Sequence, residues 1–129
     1  MRSKIMHKME YVKLYWRHDF PIDPVVIIYE VDVDDERYAT RLINIFADGR
    51  IENQEDKAWG YVTEAAVPTV EEFNTLEYGE EFCACLVSQD EFEKIWSTGG
   101  YSGKLYDDKN NKSHPVWRGF IFIRYNRRR

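Results

Sequence analysis

The sequence predicts an α+β domain: one antiparallel sheet of about five to six strands carrying two short helices. Three observations carry that prediction. The first half alternates or runs β-branched. An Asp-Gly pair stands between two strand-like runs. The second half carries two helix-start signatures of the form Ser/Thr-x-x-Glu. At 129 residues, 43% hydrophobic and 16% aromatic, the chain can build one core without disulfides or metal.

The elements follow in order. Residues 11–17 alternate Val12, Leu14 and Trp16 with Tyr11, Lys13, Tyr15 and Arg17, the period of a half-buried strand. His18-Asp-Phe-Pro-Ile-Asp-Pro24 is a turn, because two prolines bar a ladder. Residues 25–33 are nearly continuous in β-branched residues and predict a central strand. Asp34-Asp-Glu36 is a polar turn before a third strand over 38–46. Ala47-Asp-Gly-Arg50 predicts a hairpin with both central residues at positive φ, returning as a short strand over 50–54.

Trp59-Gly-Tyr-Val62 reads as either a further strand or a covering loop. Thr69-Val-Glu-Glu72 opens a helix over 70–76, and 82–87 is a strand. Ser88-Gln-Asp-Glu91 opens a second helix over 89–97 with Phe92, Ile95 and Trp96 on one face, ended by Gly99-Gly100. Residues 99–115 predict a long exposed loop, 116–125 a covered strand, and 126–129 a basic tail. Residues 1–8 read as a leader and 9–125 as a single domain.

The net charge of −5 conceals a division. Residues 1–20 hold five basic and two acidic residues, and residues 112–129 hold six basic and none acidic. Residues 21–111 keep the remaining seven basic and 21 acidic ones, for −14. Such an acidic centre attracts basic partners and repels nucleic-acid phosphate. No apolar run approaches the ~20 residues of a membrane span. The first nine residues lack the apolar stretch of a secretory signal, so cytoplasmic residence is expected.

Chemistry-bearing residues are sparse. Cys83 and Cys85, two apart in a strand, share a face but are badly placed for a mutual disulfide. They lack the Cys-x₂-Cys spacing of structural zinc sites and are expected to be buried as small apolar residues. Gly99-Gly-Tyr-Ser-Gly-Lys104 fails the phosphate-loop pattern, with Thr98 in place of the first glycine and Leu105 after the lysine. Glu30, Asp32 and Asp34 recur two apart and would line one face, but they lack the glycine and closing glutamate of a calcium loop. No metal or cofactor is expected. His18-Asp19 offers a base beside a carboxylate without an evident nucleophile. The C-terminal arginines, interleaved with Trp117, Phe120, Phe122 and Tyr125, offer a pattern used on single-stranded nucleic acid. Tyr11, Tyr15, Tyr29, Tyr38 and Trp59 are more aromatics than a small core holds, and aromatics rimmed by carboxylates make protein-binding anchors.

Residues 9–98 resemble a family of small bacterial α+β domains of unknown function. The resemblance rests on an aromatic first strand ending His18-Asp-Phe-Pro21, an acidic second strand, a third strand closing on Phe46-Ala-Asp-Gly-Arg50, Val67–Phe73, and the helix over Ser88–Trp96. It implies no catalytic residue. By analogy, small acidic domains of this kind are candidates for immunity proteins that neutralise a bacterial toxin. The function expected is therefore a non-enzymatic protein-binding domain that docks a basic partner. Its candidate contacts are Glu30, Asp32, Asp34, Asp35, Glu36, Tyr29 and Trp59, with Asp48 and Glu52 as second choices. The alternatives are a small hydrolase using His18 with a carboxylate, and a nucleic-acid binder through the basic C-terminus.

Overall fold

Alternation along Met9–Trp16 (β1) puts Tyr11 and Lys13 on one face and Val12 and Leu14 on the other. β1 also pairs along both of its edges. This computed structural model describes residues 7–75 and 77–106. Among them Val26–Asp32 (β2), Tyr38–Ile45 (β3), Ile51–Glu55 (β4) and Phe82–Leu86 (β5) complete a five-stranded antiparallel sheet of order β4-β3-β2-β1-β5. The first four strands form the expected meander. The β-branched run is its middle strand, β2, buried from both sides. The predicted strand 116–125, the tail 126–129 and residues 1–6 of the leader lie outside the described residues.

Two layers cover the sheet. Gln89–Thr98 (α2) lies on one face, where Phe92 and Ile95 pack against Tyr11, Val26, Ile28, Ile43 and Ile45. On the other face Val67 and Phe73, the latter in the single turn Val70–Phe73 (α1), pack against Val12, Leu14, Val31, Ala39 and Ala84. Full burial of each Val, Leu, Ile or Phe among them is worth about 1.5–3 kcal/mol. Residues 56–69 form a covering loop, not a sixth strand. Val62 N–H donates to Ala39 O and Val67 N–H to Arg37 O, both at 2.8 Å.

Local signals explain the helix ends. Around α1 the capping box closes: Glu72 N–H donates to Thr69 Oγ1 (3.1 Å) and Thr69 N–H to the Glu72 carboxylate (2.9 Å). The helix, expected over 70–76, stops at Phe73, because the Asn74 side chain is drawn off to Ala84. At α2 only half of the box forms. Ser88 accepts from Glu91 N–H (3.0 Å), while the Glu91 carboxylate turns to Lys13 Nζ (3.3 Å). Gly99, at φ 71°, ends α2 with its N–H on Ile95 O.

Two turns differ from expectation. In the β3–β4 hairpin only Gly49 takes positive φ (93°). Gly49 N–H bonds Phe46 O and Phe46 N–H bonds Arg50 O. This is the three-residue loop closed by a glycine bulge, which needs one left-handed residue instead of two. Within the expected exposed loop 99–115, Tyr101 and Leu105 pack against the α2-side core, because that face is wider than one helix covers.

Candidate partner-binding site

The predicted acidic row divides at the end of β2. Glu30 is buried: Arg41 grips its carboxylate through Nε and Nη2 (both 2.7 Å), Thr40 Oγ1 donates at 2.7 Å and Tyr11 O–H at 2.8 Å. Burial opposes the ionised form, but the bonds from Arg41, Thr40 and Tyr11 outweigh it and hold the carboxyl below its ordinary range. Arg41 also reaches the Glu93 carboxylate and lies over the Phe92 and Trp96 rings at 4.9 and 4.8 Å. Asp32 is buried too, bonded to His7 Nδ1 at 2.6 Å and to Asp34 N–H at 3.2 Å. Both carboxylates are committed inside the protein, so an open stripe through Glu30 and Asp32 does not form. Tyr29 lies on the opposite face from Glu30, stacked on Phe73, its hydroxyl pushed up to about 12 by burial.

The rest of the acidic turn is presented outward. Asp34 and Glu36 are exposed and Asp35 is half-buried. Glu36 and Arg37 both take left-handed backbone, φ 59° and 57°, which costs roughly 1–2 kcal/mol for each side-chain-bearing residue. Arg37 secures the bend through Val67 O (2.8 Å), Pro68 O (3.3 Å) and the Glu10 carboxylate (2.9 Å). Strain of this kind persists where the surroundings hold it, and it is characteristic of functional turns.

Antiparallel pairing brings the end of β4 to this same end of the sheet, since Glu55 registers with Arg41. The chain then turns at Asp56, whose carboxylate accepts from Ala58 N–H (3.0 Å) and Trp59 N–H (2.9 Å). That turn sets Trp59 edge-on to Tyr61 (5.8 Å) and within 6.4 Å of Tyr38, while Tyr61 packs on Tyr38 at 5.3 Å and its hydroxyl donates to Asp35. Trp59 remains 54% exposed. Beside it an open cleft of about 560 Å³ is lined by Asn53, Glu55, Asp56, Trp59, Tyr61 and Glu64, among others. The structure thus joins Asp34, Asp35, Glu36 and Trp59 into one carboxylate–aromatic end and leaves Glu30, Asp32 and Tyr29 out of it. Tyr61, Glu55, Asp56 and Glu64 join the site unforeseen. Their only signal was proximity in sequence to Trp59.

The second choices lie elsewhere. Asp48 caps the β3–β4 hairpin by accepting from Arg50 N–H (3.0 Å), at the opposite end of the sheet. Glu52 is exposed on β4 and accepts from Asn44 (3.3 Å). Cys83 is half-buried and Cys85 exposed, against the expectation of buried thiols, because β5 is an edge strand. Both ring nitrogens of His18 are engaged: Nδ1 accepts from Phe20 N–H (2.9 Å), so Nε2 donates to Pro24 O (2.8 Å). Among the described residues no cluster of three or more His, Cys, Asp or Glu is suited to hold a metal, and no helix is long and apolar enough to cross a membrane.

Sheet, helices and the carboxylate–aromatic end together define the class: an α+β domain with a five-stranded antiparallel sheet and two short helices. The chain belongs to the family described as a domain of unknown function, DUF6881, whose model matches residues 10–100. Neither a curated protein nor a solved structure matches it.

Proposed function

We propose that the domain is a non-enzymatic protein-binding module that docks a basic partner, of the immunity type in which the partner is a bacterial toxin. One observation carries the reading: Trp59, half-exposed on a Tyr38–Tyr61 platform, lines a cleft with Glu55, Asp56 and Glu64, in which Lys57 is the cation, at the end of the sheet where the exposed Asp34 and Glu36 also lie. A rigid aromatic supplies contact area at small entropic cost, and the carboxylates steer a basic surface toward it.

The test is co-purification with the product of the neighbouring reading frame, followed by stopped-flow association over a salt series. Association should slow steeply with salt, and Trp59→Ala should weaken the complex by about tenfold or more. Recovery of no basic protein at low salt, or a complex indifferent to Trp59→Ala, overturns the reading.

A further inference from the structure

At the opposite end of the sheet the connection between β1 and β2 displays large apolar groups to solvent. Phe20 is 55% exposed and Ile22 80%. Phe20 stands on an aromatic run: His18 stacks on Phe20 (5.1 Å) and packs on Trp16 (4.2 Å), and Trp16 stacks on Phe82 (6.0 Å). Phe82 continues to Phe73 (6.5 Å), and Phe73 to the exposed Tyr78 (5.6 Å). Single exposed apolar residues are ordinary, but Phe20 and Ile22 share one loop and are joined, through rings packed beneath the surface, to a further exposed ring, Tyr78, and such a grouping marks a contact surface. The loop is also pre-shaped, because the His18 ring ties Phe20 N–H to Pro24 O across it. Pre-shaping lowers the ordering cost of binding.

Charge selects the occupant. Asp19 and Asp23 lie in the same loop, Glu80 and Glu81 precede Phe82, and Glu77 precedes Tyr78. Arg17 is the cation among them, and its guanidinium bonds Glu80 O at 2.7 Å. A second copy of the chain would set these carboxylates against each other, whereas lysines or arginines around an apolar side chain would satisfy them.

We propose that Phe20, Ile22, Trp16 and Tyr78 form a second docking surface, for a basic, apolar-bearing protein segment. It is independent of the Trp59 site and at the other end of the sheet, so one domain can hold two basic ligands, or one ligand at two points.

The probe is a synthetic peptide alternating lysine with leucine, titrated into the full chain and followed by backbone amide chemical shifts. Expected are shifts at residues 16–23 and 77–82 that weaken with added salt and are absent with a glutamate–leucine peptide. Phe20→Ser with Ile22→Ser should weaken binding at these residues about tenfold, and Trp59→Ala should leave them unchanged. Both substitutions are at exposed positions, so the amide spectrum away from the loop serves as the folding control. Three results overturn the proposal: no shift in the loop, equal binding by the double variant, or a wild-type dimer in sedimentation that the double variant abolishes. A photo-cross-linker in place of Ile22 that captures only the chain's own residues 112–129 overturns it as well, in favour of an internal occupant.

Discussion

The side-chain amide of Asn74 pairs with both backbone groups of Ala84: Nδ2 donates to Ala84 O at 3.1 Å and Oδ1 accepts from Ala84 N–H at 2.7 Å. Opposite Leu14 in a non-bonded pair, Ala84 turns these groups away from β1, toward the outer edge of the sheet. Asn74 therefore does there what a sixth strand would do, while fastening α1 to the sheet. Asn74→Ala leaves both groups of Ala84 without that partner and should cost about 1–3 kcal/mol. It should also unmask an uncharged edge, Phe82–Leu86, of the kind that recruits other chains. Urea unfolding and light scattering on warming check the two effects. Asn74→Asp keeps the acceptor and loses the donor, and should fall between.

Glu30 and Arg41 make stability depend on pH. The folded carboxyl of Glu30 titrates below its ordinary value of 4.5, so the folded state binds fewer protons than the unfolded one. The contribution is complete above that ordinary value and is lost as pH falls through the lower, folded value. Glu30→Gln should cost about 2–3 kcal/mol at neutral pH, tempered by the Glu93 carboxylate that remains on Arg41. Below the folded value the penalty should shrink toward zero. Denaturant midpoints from pH 7 down to about pH 2 check this, and a penalty that stays constant with pH contradicts it.

Most of this fold was legible because local and tertiary preferences agree. The β-branched run of β2 had to be central, since both of its faces are apolar. Phe92, Ile95 and Trp96 could only form a stripe, and Thr69 and Ser88 announced the helix starts. The site was less legible. Carboxylates two apart in sequence give no sign of which neighbours they meet, and Arg41 and Tyr11, distant in sequence, internalise Glu30. Trp59 and Asp35 are joined by Tyr61, whose hydroxyl bonds a residue 26 positions away in sequence, a relation that no local pattern encodes. The left-handed pair Glu36–Arg37 lacks the glycine or asparagine that ordinarily signals such a bend.

That bend yields its own prediction. Glu36 is exposed at φ 59°, where a Cβ is unfavourable and glycine is at ease. Glu36→Gly should relieve roughly 1–2 kcal/mol of strain and give back somewhat less in unfolded-chain entropy, for a net gain of up to about 1 kcal/mol. It also removes one exposed carboxylate from the acidic turn at the Trp59 end of the sheet. A variant that is more stable by thermal melting yet slower to associate with a basic partner is the expected outcome. A destabilised Glu36→Gly would mean that the side chain does more than point to solvent.

His18 is the last residue whose two roles separate cleanly. As a clasp it uses both ring nitrogens on backbone groups, Phe20 N–H and Pro24 O, so the ring leaves no lone pair to take a proton from a substrate. His18→Ala should remove about 1–2 kcal/mol from two hydrogen bonds and the tilted packing on Trp16. It should also speed hydrogen exchange at the Phe20 amide, while the Trp59 end exchanges as before. His18→Asn, which keeps a donor and an acceptor on a shorter side chain, should recover part of the protection. Were His18 a catalytic base, its replacement would abolish a turnover and leave loop exchange unmoved. Loop protection lost together with far-end peptide binding, with the Trp59 site intact, is the signature of a clasp that shapes a surface.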